Sequence, residues 1–279
     1  MHHAVVRTSL SIATIAALAS TGVFVACGAF GSANPAPNDE GGVVVEGGVV
    51  VEGGADASTD VQSCEVLVAE DFTTLAEFSQ ETYGGGSAVL ASDPTHAVKG
   101  PSLSATGTIT SASYVNGSAA REVFLDGGFA TGQRIELEYE LFLDDKVNAY
   151  AEVGCTLELR NGAGERTRIL LALPASDGID GVLDPADAAA TNVSKTILAT
   201  RMAGAYHVKT TISATKLRSA TVRYEIRSGT ADFLVALQSG VDRVKLVCGI
   251  DYATTSSATP VTLKVSVDDL AMRRCIPLP

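Results

Sequence analysis

Glu136, Glu138 and Glu140 stand two residues apart, separated by Leu137 and Tyr139. On a strand, residues two apart share a face, so the three carboxylates project together. Glycosidases that retain anomeric configuration use two carboxylates about 5–5.5 Å apart, and same-face neighbours come near that reach. One reading is glycosidic-bond hydrolysis by an acid and a nucleophile drawn from this trio. The plainer reading is a solvated strand face balanced by cations such as Arg223 and Arg227. A deep cleft around the glutamates favours hydrolysis. A shallow face lined by tyrosines favours sugar binding; with no Trp and seven Tyr in the chain, ring stacking falls to tyrosine.

Asp177, Asp180, Asp184 and Asp187 form a second acidic group. Calcium takes several oxygen ligands from one loop, which makes Asp177, Asp180 and Asp184 weak calcium candidates. Their spacing fits no EF-hand, and a bland acidic loop is the favoured reading. His207 has no Ser or Cys nucleophile motif beside it. His96 and His207 are the only histidines beyond the leader. Gly84-Gly85-Gly86 lacks the Lys-Ser/Thr and the helix of a phosphate loop. Asn116-Gly117-Ser118 and Asn192-Val193-Ser194 fit the glycosylation sequon and are read as chance. No catalytic residue, cofactor or firm metal site is assigned.

The elements that hold these residues are strands. Ile135, Leu137, Tyr139, Leu141 and Leu143 alternate with Glu136, Glu138 and Glu140. The same period of two runs through residues 149–159, 222–226, 244–252 and 261–267. One face of each strand is therefore buried and the other solvated, as in antiparallel sheets. Asn116-Gly117, Asp126-Gly127-Gly128, Asn161-Gly162, Asp177-Gly178 and Ser239-Gly240 punctuate the runs as turns. Helical signal is confined to residues 185–190, which Asp184 is placed to cap. They lie in a stretch, residues 174–195, read as irregular. The prediction from this pattern is an all-β, antiparallel sandwich or barrel.

With 279 residues and 46% hydrophobic content, the chain is long enough for one large core. A net charge of −12 argues against nucleic acid and against electrostatic docking on anionic lipid.

Of five cysteines, Cys27 stands just after the leader, which leaves Cys64, Cys155, Cys248 and Cys275 for the domain. Three pairings are possible. Cys64 opens the domain and Cys275 ends it, while Cys155 and Cys248 share the apolar parity of their strands. Cys64–Cys275 and Cys155–Cys248 are therefore favoured. The first closes a very long loop, worth on the order of 4–5 kcal/mol by chain entropy.

Arg7 and the α-amino group precede an uncharged stretch, residues 8–26, rich in Ala, Leu, Ile and Val. This is the pattern of a secretory signal, assigned to residues 1–26. Residues 28–63 hold no Lys or Arg. They contain Pro35, Pro37 and the repeat Gly-Gly-Val-Val-Val-Glu at 41–46 and 47–52. Two copies are too few for a solenoid, so residues 27–63 read as a tether spanning on the order of 30 Å.

Phe24-Val25-Ala26-Cys27 resembles the lipobox of bacterial lipoproteins, with Phe24 where Leu is usual. The resemblance implies cleavage before Cys27 and its acylation with chains such as palmitate. Gly28 in place of Asp implies the outer membrane. The opening Glu70-Asp71-Phe72, the long alternating strands and the closing strand at 261–272 resemble concanavalin A-like jelly rolls. The resemblance implies an antiparallel, jelly-roll-like β-sandwich over residues 64–279. Members of that class often bind carbohydrate. Glu136-Leu137-Glu138-Tyr139-Glu140 is similar to the Glu-x-Asp-x-Glu motif of jelly-roll glucanases, with Glu138 in place of Asp.

The resulting expectation is an exported, lipid-anchored protein of the cell envelope, periplasmic or surface-facing, that is not an enzyme. Its sandwich serves as a non-catalytic binding module for carbohydrate, envelope polymer or protein. The alternatives are a glycoside hydrolase built on Glu136, Glu138 and Glu140, and a purely structural envelope protein.

Overall fold

The computed structural model describes residues 62–96, 100–109, 113–143, 150–174, 177–185, 192–216, 218–254 and 261–278. The leader, Cys27 and the tether up to residue 61 lie outside them, as do Asp187 and residues 186–190 of the expected helix.

Fifteen strands make two antiparallel sheets. They are β1 (Gln62–Glu70), β2 (Ser79–Gly84), β3 (Ser87–Asp93), β4 (Ser102–Ile109), β5 (Ser113–Phe124), β6 (Arg134–Leu143), β7 (Ala151–Asn161) and β8 (Arg166–Leu173), followed by β9 (Ile179–Asp184), β10 (Val193–Leu198), β11 (Gly204–Lys216), β12 (Ser219–Ile226), β13 (Gly229–Ala236), β14 (Val241–Thr254) and β15 (Val261–Pro277). One sheet runs β13-β12-β11-β6-β15-β4-β3, with β1 also on β15; the other runs β10-β9-β8-β7-β14-β5-β2. Among the described residues the one helical element is a 3-10 turn at Pro94–His96. The architecture is the antiparallel, jelly-roll-like β-sandwich that the resemblance implies, a sandwich and not the barrel that the alternation also allowed.

The alternation works as expected. On β6 Ile135, Leu137, Tyr139, Leu141 and Leu143 are buried, and the intervening glutamates and Phe142 are partly exposed. The inward residues of both sheets meet in one apolar core, where a side chain as large as Leu or Phe contributes about 1.5–3 kcal/mol by leaving water. Tyr224 crosses this core. Its hydroxyl lies 3.1 Å from the carbonyls of Leu170 and Val182, so the polar tip is satisfied on the opposite sheet.

The stretch at 174–195 is not irregular. It contains β9 and the start of β10. The inward positions of β9 are Ile179, Gly181 and Leu183, and the glycine breaks the apolar rhythm. Its reason is steric: a Cβ at Gly181 would stand 2.7 Å from the Tyr224 ring.

Both favoured disulfides are present. Cys64–Cys275 ties β1 to β15, and Cys155–Cys248 ties β7 to β14. In each case the two cysteines sit directly opposite each other in the ladder.

Candidate active site

On the outer face of the seven-stranded sheet, alternation turns a polar set away from the core: Asn116 and Ser118 from β5, Glu152 and Glu158 from β7, Arg166 and Arg168 from β8, and Lys245 and Asp251 from β14; Asn116, Ser118 and Glu158 are buried among their neighbours. Two glycines interrupt this carpet. Gly154 and Gly249 face each other across β7 and β14, one step from the Cys155–Cys248 bond. Gly154 has φ +77°, and the ladder with β8 is irregular between Val153 and Leu157. Such irregularities recur beside active sites, where they re-aim side chains. From the core side, the Tyr139 hydroxyl accepts the Cys155 N–H at 3.2 Å. A Cβ on Gly154 would come within 2.6 Å of that oxygen. The face is therefore hollow at its centre.

The hollow is a pit of about 30 Å³, room for a single water, floored by Gly154 and Gly249. It adjoins a groove of about 220 Å³ that adds Glu81, Tyr83 and Lys245. Asn116, Ser118, Arg168, Val247 and Asp251 line both. Tyr83 packs edge-on against Tyr114, ring centroids 6.1 Å apart, and both rings are about half exposed.

Glu152 and Asp251 are directly opposed residues on β7 and β14. Arg168 donates to Glu152 at 2.6 Å and stands 3.5 Å from Asp184 and 3.6 Å from Glu158. Asp251 is hydrogen-bonded by the Asn116 side chain. Burial raises the Asp251 carboxyl above its ordinary range, against the pull of Arg168 and Asn116. Burial likewise raises Glu152, opposed by Arg168 and reinforced by Asp251. The Tyr150 hydroxyl is pushed up to about 12 by burial and then by Glu152. Burial works against the charge of Arg168, yet Glu152, Glu158 and Asp184 together hold its pKa above normal. Two desolvated carboxylates in unlike settings, one ion-paired and one amide-bonded, are how acid and base roles become separated.

The glutamate trio lies elsewhere, on the outer face of the eight-stranded sheet. Glu138 and Glu140 border a hollow of about 560 Å³ with Glu70, His207, Asp269 and Arg273. Each glutamate has its own basic partner. Glu136 faces Arg134 at 2.7 Å, Glu138 faces Lys209 at 3.0 Å and Arg273 at 3.2 Å, and Glu140 faces His207 at 2.9 Å. Lys209 above all, with Arg273, holds the Glu138 carboxyl below its usual range, the reverse of what a general acid needs. Arg223 and Arg227, the expected partners, are engaged otherwise. Arg223 pairs with Glu225, and Arg227 lies 4.1 Å over the Tyr206 ring.

The calcium candidates are dispersed. Asp177 lies in the turn before β9, where its carbonyl accepts the Arg201 N–H at 2.5 Å. Asp180 accepts from Ser194, and Asp184 faces Arg168. Among the described residues no group of three or more His, Cys, Asp or Glu side chains is arranged to hold a metal.

Sequence reasoning missed Glu152, Arg168 and Asp251, although a signal was present. Glu152-Val153-Gly154-Cys155 and Cys248-Gly249-Ile250-Asp251 are mirror images. Pairing the two cysteines across antiparallel strands places glycine against glycine and carboxylate against carboxylate.

No protein-family profile matches the chain, and no curated protein matches it. Solved structures of similar fold do exist. An endo-β-1,4-glucuronan lyase from the fungus Trichoderma reesei superposes with TM-score 0.49 and 12% identity, over 69% of this chain and 89% of its own. The CBM2 module of the evolved Dit of Lactobacillus casei BL23 phage J-1 gives 0.49 and 11%, over 78% and 98%. A carbohydrate esterase from the Shiga toxin-encoding bacteriophage phi24B gives 0.46 and 13%, over 76% and 99%. These likenesses concern the fold. The expectation that the chain is not an enzyme is corrected here: lyases and an esterase stand among the solved structures of similar fold, and the sheet carries two opposed, desolvated carboxylates that the sequence reading did not see.

Proposed function

We propose that the protein is a carbohydrate-active enzyme that cleaves glycosidic bonds on the outer face of its seven-stranded sheet. The observation that carries this is the opposed pair Glu152 and Asp251 above a glycine-floored pit. Directly opposed strand residues carry Cβ atoms about 4.5–5.5 Å apart, the spacing class of a retaining carboxylate pair. In this reading Asp251, desolvated by burial, keeps its proton and delivers it to the leaving oxygen. Glu152, ion-paired with Arg168, attacks the anomeric carbon, and Asp251 then activates the water that frees the product. Tyr83 and Tyr114 offer apolar ring surface beside the pit, and the ligand class named here is also that of the similar structures' own titles. The trio Glu136, Glu138 and Glu140 has no part in the chemistry.

The test is release of reducing ends from a panel of polysaccharides. Glu152→Gln and Asp251→Asn should each cut turnover by at least a hundredfold with the fold intact. Full activity in both variants would refute the proposal, as would loss of activity in Glu138→Gln alone.

The same reading sets the domain at the cell envelope on acyl chains carried by Cys27. Support comes from the leader and from Phe24-Val25-Ala26-Cys27. Cys27→Ala should shift the protein from the membrane to the soluble fraction; an unchanged distribution and mass would remove the anchor from the account.

A further inference from the structure

We infer that the glycan taken by this face carries no carboxylate groups: it is a neutral hexose polymer, not a polyuronate. This deepens the proposed function and rests on the same site. Three cations line the pit and groove, and each already faces a carboxylate of the same surface. Arg168 lies 2.6 Å from Glu152, Lys245 lies 3.1 Å from Glu81, and Arg166 lies 3.2 Å from Glu158. The fourth lining carboxylate, Asp251, is bonded by the Asn116 amide. With Asp251 holding its proton, three carboxylates and three cations leave the described lining with no surplus positive charge.

A uronate carboxylate entering this surface has two costs to meet. It approaches Glu152, a like charge in a partly desolvated place, where repulsion is weakly screened. It must also break an existing ion pair to gain a cation, and a buried partner left alone costs several kcal/mol. Elimination from a uronate would additionally need its carboxylate neutralised, and every Lys and Arg among the described lining residues is already engaged. The whole chain, at −12, repels polyanions at longer range. A neutral pyranose meets none of these costs. Its hydroxyls suit Asn116, Ser118 and the ion-paired carboxylates, and its apolar face suits the Tyr83–Tyr114 pair.

The experiment is calorimetric titration of the full chain carrying Asp251→Asn, which stops turnover and leaves the Arg168–Glu152, Lys245–Glu81 and Arg166–Glu158 pairs in place. The probes are a cello-oligosaccharide, a polyglucuronate oligosaccharide and a chitosan oligosaccharide of equal length. The neutral probe should bind at least tenfold more tightly than either charged one, with little dependence on salt. Tighter binding of the polyglucuronate or the chitosan overturns the inference, and so does failure of all three to bind. The two readings fail separately. A polyuronate cleaved by the parent and left intact by Glu152→Gln keeps the site and discards the neutral ligand. A neutral glycan bound equally well when Tyr83→Ala and Tyr114→Ala are added to Asp251→Asn discards the site.

Discussion

Glu152 and Asp251 stand at mirror positions about the Cys155–Cys248 bond, each three residues from its own cysteine and directly across from the other. The bond lies on the core side and the carboxylates on the solvent side. One covalent link therefore sets the register of both.

Breaking that link should damage both stability and chemistry. Replacing Cys155 and Cys248 with serine should cost about 3–5 kcal/mol in unfolding free energy and lower turnover per folded molecule. Replacing Cys64 and Cys275 should cost a similar amount, yet leave turnover per folded molecule unchanged. Denaturant midpoints and activity normalised to folded fraction separate the two.

The pH dependence of stability should carry the sign of Asp251. Burial raises its carboxyl in the folded state, so the native protein holds that proton more tightly than the unfolded chain. The stability it contributes is complete below the unfolded value of about 3.9 and is lost as pH rises through the folded value. Asp251→Asn removes this loss. The variant should melt about 2–4 °C above the parent at pH 7 and level with it at pH 3. Glu138 has the opposite sign, because Lys209 and Arg273 lower its carboxyl. Glu138→Gln should lose up to about 1 kcal/mol at pH 7, with the deficit vanishing as pH falls through the folded value.

Gly154 and Tyr139 should behave as one unit. Gly154→Ala places a Cβ 2.6 Å from the Tyr139 oxygen at φ +77°, at a cost of about 2–3 kcal/mol. Tyr139→Phe leaves the buried Cys155 N–H without its acceptor, at about 1–3 kcal/mol. The double variant should be less destabilised than the sum, since the phenyl ring vacates part of the space. Urea unfolding of the four proteins measures the coupling.

Tyr83→Ala and Tyr114→Ala should each weaken glycan binding about tenfold, which is about 1.4 kcal/mol. The rings touch, so the double variant should lose less than a hundredfold. Equal affinity in parent and double variant would remove the tyrosines from the binding surface.

The sandwich was legible because burial on one side leaves a period-two trace, clearest in Ile135 to Leu143 and Val244 to Ile250. It failed at β9, where Gly181 makes room for the Tyr224 ring and so hides an inward position. The disulfides were legible from parity, since Cys155 and Cys248 share the inward phase of their strands. The site was not. Glu136, Glu138 and Glu140 are conspicuous because they are consecutive on one strand, and such a row is readily balanced by neighbouring cations. Glu152, Arg168 and Asp251 come from three strands and meet only once the register of β7, β8 and β14 is known.

Gln62 pairs with Pro277 at the outset of the ladder that continues through Cys64 and Cys275. Entry to and exit from the sandwich thus lie side by side, bolted a few residues in. A short peptide bridge can join them and a surface turn such as Asn161–Gly164 can be opened instead, giving a circularly permuted protein with its sheets in the same order.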